Sequence, residues 1–114
     1  MNPPVVAIVG GGASGTLAAI HVLRRACRPV RVVLIERHST PGRGIAYGTA
    51  DPLHLLNVRA GGMSAFPDDP LHFATWARSD PVEFLPRQLY AEYLLETLRQ
   101  AQAETKTGVV LEVR

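Results

Sequence analysis

The sequence predicts an α/β fold with a parallel β-sheet, and three observations favour this class. Residues 5–9 (VVAIV) and 31–35 (RVVLI) are short, largely β-branched runs of the kind that form buried parallel strands. A glycine-rich turn and a helical pattern stand between these two runs. Strand, helix and strand within roughly thirty residues make a βαβ unit, whose crossover is almost always right-handed.

The first helix follows the glycines directly. It is predicted from Ser14 to about Ala26, with the Ser14 side chain as its N-cap and small residues that suit close packing on a sheet. Because residues 5–9 are wholly apolar, we expect the first strand to lie in the centre of the sheet, covered on both faces.

Two further helices and a third strand are predicted in the second half of the chain. Asp69 and Pro70 are typical of a helix start, with the acid as N-cap and the proline in the first helical position. Apolar residues at helical spacing predict a longer helix from Pro86 to about Lys106. Residues 109–114 (VVLEVR) are predicted to form the third strand.

The segment from Ser39 to Pro67 is rich in glycine and proline, which predicts a long irregular loop of the kind that usually has a function. Three parallel strands would leave apolar faces that the available helices do not cover well. We therefore expect residues 1–114 to be a partial domain, the N-terminal piece of a larger protein.

Composition and charge exclude several classes of protein. The chain has 114 residues and a net charge of +2, and its arginines are scattered, so we expect no nucleic-acid partner. The single cysteine, Cys27, excludes an intrachain disulfide and a cysteine-based zinc site. The four histidines are not at metal-ligand spacing, so no metal is expected.

The nearly uncharged stretch 5–23 raises the question of a signal peptide or a membrane span. It has no positively charged region before it, and it contains four glycines and His21. We therefore expect no membrane association and a cytoplasmic protein.

Gly10, Gly12 and Gly15 form a G-x-G-x-x-G motif between the first strand and the first helix. In a dinucleotide-binding fold these glycines allow the tight turn, the approach of backbone to a pyrophosphate, and close helix–strand packing. The helix N-terminus offers N–H groups and a partial positive charge to the diphosphate. Without a following Gly-Lys-Ser/Thr, the turn is not a P-loop.

An acidic residue stands where such a fold needs one. Glu36 follows the second strand about 20 residues after Gly15, where a carboxylate binds both hydroxyls of an adenosine ribose. A carboxylate there repels a 2′-phosphate and so disfavours NADP, and the Arg37 guanidinium can lie against adenine. The alternative is an ordinary glycine-rich turn with Glu36 as a solvated strand-end charge. The motif does not distinguish FAD from NAD.

Longer stretches of the chain resemble a bacterial family of FAD-dependent, NAD(P)-binding oxidoreductases. These stretches are VVAIVGGGASGTLAAIHVLRR, RVVLIERHSTPGRGIAYGT, DPLHLLNVRAGGMSAFPDDPLHFATWA and FLPRQLYAEYLLETL. The family includes flavin hydroxylases similar to urate hydroxylase and the amino-acid N-monooxygenases. The resemblance covers nearly the whole chain and is specific to the family, but not to any substrate.

The resemblance implies positions for the cofactor FAD. Its pyrophosphate would lie on residues 10–15, and the stretch 42–48 would pass near the pyrophosphate and ribityl chain. Asn57 and Met63 would lie toward the isoalloxazine ring, and Arg87 matches an arginine that reaches back to the cofactor. The candidate cofactor-binding residues are Gly10, Gly11, Gly12, Ala13, Ser14, Gly15, Glu36, Arg37, Arg43, Gly44, Asn57, Met63 and Arg87.

Each residue that the resemblance adds has an ordinary structural alternative. Arg43 can be a solvated loop charge, Asn57 a turn cap, and Arg87 a residue of a first helical turn. No catalytic residue is assigned, because in flavin enzymes the cofactor carries the redox step.

The sequence thus predicts the FAD-binding segment of a flavin oxidoreductase, in particular a monooxygenase that takes electrons from NAD(P)H and acts on a small molecule. Two alternatives stay open: an NAD-dependent dehydrogenase module, and a truncated chain that binds dinucleotides without turnover.

Overall fold

The computed structural model describes residues 2–36 and 55–114. Along the chain, the described elements are strand β1 (Val5–Val9), helix α1 (Ala13–Arg25), strand β2 (Val30–Ile35), a 3₁₀ turn (Ala60–Gly62), helix α2 (His72–Trp76), helix α3 (Arg87–Ala103) and strand β3 (Val109–Val113). None of the helices in these two ranges combines the length and the apolar character that a membrane span requires.

The three described strands form one parallel sheet in the order β1-β2-β3. Val5 lies opposite Arg31, and Val30 lies opposite Val109. Because all three strands point the same way, their carboxyl ends meet at one edge of the sheet, which we call the carboxyl edge. The predicted α/β class with a parallel sheet is confirmed.

The core lies between the sheet and the helices. Val30, Val32 and Leu34 of β2 alternate with residues of the opposite face and are at most 9% exposed, in one cluster with the buried face of α1. α1 packs on all three strands, and α3 packs against α1. Complete burial of an aliphatic side chain such as Leu34 contributes roughly 1.5–3 kcal/mol.

The direction of the helices decides which of their ends lies near the carboxyl edge. α1 connects the end of β1 to the start of β2, and so it runs antiparallel to both strands. α3 likewise leads into the start of β3 through Gly108, whose φ of +85° suits glycine. A Cβ on Gly108 would lie 2.9 Å from the Pro29 Cβ, so this turn also requires a close approach.

Three details predicted for the helix ends were wrong, although the bounds of α1 lie within one residue of the prediction. α1 begins at Ala13 with Gly12 in extended conformation at the N-cap, so Ser14 lies inside the first turn and is not the cap. Asp69 does not cap α2, because its carbonyl accepts the His72 N–H (3.1 Å) in a turn that precedes the helix. α3 ends at Ala103, where the Thr105 hydroxyl donates to a carbonyl of the last turn.

The position predicted for β1 also differs from the structure. Within the described sheet, β2 is the central strand and β1 is an outer strand, with a neighbour on one side only. Val5 is 55% exposed and Val9 is 82% exposed. The apolar run predicted the strand correctly, residue for residue, but composition alone does not reveal the strand order.

Candidate dinucleotide-binding site

A tight turn joins β1 to α1 at the carboxyl edge. Gly10 has a φ of +93°, a left-handed conformation that favours glycine, and its N–H donates to the Ile35 carbonyl over 2.8 Å. This bond fixes the end of β1 beside the end of β2. The turn therefore lies between the first strand and the first helix, where the G-x-G-x-x-G motif predicts it.

Gly15 lets α1 approach the turn closely. A Cβ at this position would collide with the Gly10 carbonyl oxygen, and would lie 3.0 Å from the Gly10 carbonyl carbon and 3.3 Å from Ile8 Cγ2. The packing role that the sequence assigned to this glycine is thus visible in the structure.

Thr16 supports the turn, although no pattern in the sequence predicts this role. Its side chain is fully buried and its hydroxyl donates to the Gly11 carbonyl (3.1 Å), while its N–H donates to the Gly12 carbonyl (2.9 Å). The only available signal was a hydroxyl residue directly after the last glycine of the motif. A hydroxyl residue at this position can equally lie on the helix surface, so the signal does not identify the role.

The N-terminus of α1 gives the turn its electrostatic character. The first N–H groups of a helix have no partner within the helix, and they carry the positive end of the helix dipole. Gly12 supplies no side-chain cap, and the first turn of α1 contains no acidic residue. The arrangement is therefore suited to an anion with several oxygen atoms, such as a diphosphate.

Glu36 lies against the same turn. A Cβ on Gly11 would collide with the Glu36 carboxylate and would lie 2.8 Å from its Cδ atom, so the acidic side chain extends over the glycine backbone. The Glu36 N–H donates to the Arg114 carbonyl (2.7 Å), which links this residue to the end of β3. The structure thus brings the glycines and the acid together at the carboxyl edge, where open α/β sheets bind ligands.

The other candidate residues are placed less distinctly. Asn57 is exposed, and Met63 is half-buried against the core. Arg87 begins α3 near the carboxyl edge, and its Nε donates to the Leu55 carbonyl (3.0 Å). It thus lies in a first helical turn, which is the structural alternative considered for it. Arg37, Arg43 and Gly44 lie outside the described residues.

Two histidines contact buried groups of the core. The His21 Nε2 donates to the Ala65 carbonyl (2.8 Å), and the His72 Nδ1 lies 2.7 Å from the Tyr93 hydroxyl. Burial raises the pKa of Tyr93 above its ordinary value, although several hydrogen bonds oppose the shift.

Among the residues that the structure describes, no group of three or more potential ligands could hold a metal ion.

The fold and the turn define a class of protein. A glycine turn of this geometry, between a parallel strand and a helix and beside an acidic strand end, belongs to a Rossmann-like dinucleotide-binding fold. Comparison with known proteins agrees: the model of the FAD-NAD(P)-binding family matches residues 7–114. The chain belongs to this family, so its cofactor is a flavin or nicotinamide dinucleotide. No curated protein matches the chain.

Proposed function

We propose that the chain binds FAD at the turn between β1 and α1 and forms the FAD-binding segment of a flavin-dependent oxidoreductase. The observation that supports this most directly is the meeting of three features at the carboxyl edge: bare glycine backbone, the N-terminus of α1, and the Glu36 carboxylate. The diphosphate would lie on residues 10–15, and Glu36 would bind the adenosine ribose.

The residues of the turn suit such a ligand. Side chains at Gly11 and Gly15 would meet the Glu36 carboxylate and the Gly10 carbonyl, so the turn keeps its backbone bare. The adjacent N–H groups can bind phosphate oxygens without any cationic side chain. When bound, FAD supplies hydride acceptance and, in some enzymes, the activation of oxygen.

We propose further that the larger protein is a monooxygenase. The resemblance to flavin hydroxylases and N-monooxygenases supports an NAD(P)H-using monooxygenase that acts on a small molecule. We place the protein in the cytoplasm, where NAD(P)H is available as the reductant.

We also propose that β1 receives a further strand from the rest of a larger flavoprotein chain. Pro4 C=O and Gly10 N–H bond to β2, so by alternation Val5, Ala7 and Val9 direct their N–H and C=O groups away from it. The side chains of Val5 and Val9 are largely exposed. An uncharged apolar edge of this kind is normally covered in native proteins.

Titration of the chain with FAD, NAD and NADP tests the cofactor assignment. We expect FAD to bind best and NADP worst, because a carboxylate at Glu36 repels a 2′-phosphate. A chain that binds NAD tightly and FAD weakly would favour the dehydrogenase module, and tight NADP binding would contradict the role given to Glu36.

Two variants locate the binding site. Replacing Gly12 by valine should abolish binding, since a branched side chain would keep the phosphates away from the backbone. Glu36→Ala should weaken binding by roughly 1–3 kcal/mol, because the ribose hydroxyls lose their acceptor. Glu104→Ala is the matched control: it removes an exposed carboxylate after the last residue of α3, at the opposite edge of the sheet, and should leave affinity unchanged.

A further inference from the structure

Residues 64–66, which we call the clamped segment, are held by side chains from three helices. Ala65 is 4% exposed, its N–H donates to the Tyr93 hydroxyl (3.0 Å), and its carbonyl accepts the His21 Nε2–H (2.8 Å). Both backbone groups of one buried residue thus depend on side chains, one from α3 and one from α1.

The neighbouring Phe66 extends the same arrangement. Its ring is edge-on to the imidazoles of His21 (5.7 Å between centroids) and His72 (4.7 Å), and the Arg24 guanidinium lies 4.1 Å from its centroid. Because His21 and Arg24 both belong to α1, this helix contacts the clamped segment at two successive turns.

α1 also connects the clamped segment to the glycine turn. The helix starts at the turn, and His21 follows its first residue by eight positions, or about 12 Å of helix. The buried face of α1, with Ala19, Ile20 and Leu23, fixes the helix on the sheet. Thr16 joins the turn itself to the helix through its bond to the Gly11 carbonyl. The glycine turn, α1 and the clamped segment are thus joined by a continuous series of contacts.

We infer that His21 is a positioning residue that couples the clamped segment to ligand binding at the glycine turn. This inference rests on the proposed function, since it requires a dinucleotide at the turn. Binding lowers the frequency of local opening at the N-terminus of α1, and the His21–Ala65 bond transmits this ordering to residues 64–66. Ala65 N–H, which is bonded to Tyr93, is the natural reporter.

Amide hydrogen exchange of the full chain, with and without saturating ADP, tests this inference. ADP carries the diphosphate and the adenosine of FAD, but no flavin ring. We expect ADP to slow exchange at residues 10–16 and, in the wild-type protein, to slow exchange at Ala65 by about fivefold or more. His21→Ala should keep the protection at the turn and lose the transmitted protection at Ala65.

Two further variants separate coupling from a loss of structure. His21→Gln retains an N–H donor and should restore the transmitted protection. Arg25→Ala removes an exposed side chain from the same helix and should behave like the wild type. Normal protection at the turn without any change at Ala65, or full transmission in His21→Ala, would overturn the coupling while leaving the proposed function standing. If ADP protects no residue at the turn, both proposals fail.

Discussion

Replacing Gly15 by alanine adds one methyl group at the closest approach between α1 and the glycine turn. The new Cβ would collide with the Gly10 carbonyl oxygen, which is a backbone atom and cannot rotate away as a side chain would. Ile8 Cγ2, at 3.3 Å, blocks a second direction of relief. The helix must therefore move outward from the turn, or the turn must change its conformation.

Two opposing effects set the size of the change in stability. Alanine in a helix is favoured over glycine by up to about 1 kcal/mol, and this gain is smaller in a first turn. Overpacking that displaces backbone typically costs about 1–3 kcal/mol. We expect a net loss of about 1–2 kcal/mol in the free energy of unfolding. For a chain of 114 residues, each 1 kcal/mol corresponds to roughly 4 °C in Tm.

Denaturant unfolding followed by circular dichroism measures this loss, and titration with FAD measures its effect on the site. Ser14→Ala is the control in the same turn, because Ser14 is exposed and alanine adds no atoms; its stability should stay within about 0.5 kcal/mol of the wild type. A Gly15→Ala protein as stable as the wild type, with unchanged FAD affinity, would refute the argument from close packing.

Three further changes have expected outcomes. Arg78→Gly should raise the free energy of unfolding by about 0.5–1 kcal/mol in denaturant titrations, because Arg78 has a φ of +53° just after α2, a conformation that non-glycine residues adopt only at a cost. Hydrogen bonds from Arg31 and Arg114 lower the pKa of Glu112 below its ordinary value of 4.5. The ionised carboxylate therefore stabilises the fold above pH 4.5, and this contribution is lost as the pH falls further. Glu112→Gln should reduce the acid dependence of the free energy of unfolding, and an unchanged dependence would count against the ion pairs. Burial raises the pKa of Tyr93 above 10.0, so the free energy of unfolding should fall as the pH rises through 10 and beyond. Tyr93→Phe should reduce the slope of this free energy against pH, and an equal slope in both proteins would contradict the burial argument.

The secondary structure could be predicted because local patterns determine most of it. The bounds of β1 were correct, and those of α1 and β2 were correct within one residue. Helix ends were less accurate, since Ser14 and Asp69 have capping side chains but neither caps a helix in the structure. A residue whose side chain can cap a helix can instead take part in a turn before the helix, as Asp69 does. The sequence does not show which of the two hydrogen bonds forms.

The glycine turn was predictable for a physical reason of its own. Its geometry depends on contacts among a few residues close in sequence, such as the approach of Gly15 to the Gly10 carbonyl. The clamp on Ala65 depends instead on His21 and Tyr93, which lie 44 and 28 positions away in the sequence. No periodicity or motif marks a contact between residues so far apart, so His21 had no visible role at the sequence level.

The edge position of β1 connects the fold to the proposed function. In the described sheet, β2 lies between the other two strands and is largely buried, while β1 exposes Val9 at 82% although every residue of β1 is apolar. The turn that holds the candidate site directly follows this exposed strand, because Gly10 comes after Val9. A strand that paired with Val5, Ala7 and Val9 would therefore restrain the turn from its second side, as the Ile35 carbonyl restrains it from the first. If the rest of a larger chain supplies that strand, adding it should both stabilise the sheet and raise the affinity for dinucleotide. An affinity unaffected by its presence would mean that the contacts between Gly10, Gly15 and β2 hold the site on their own.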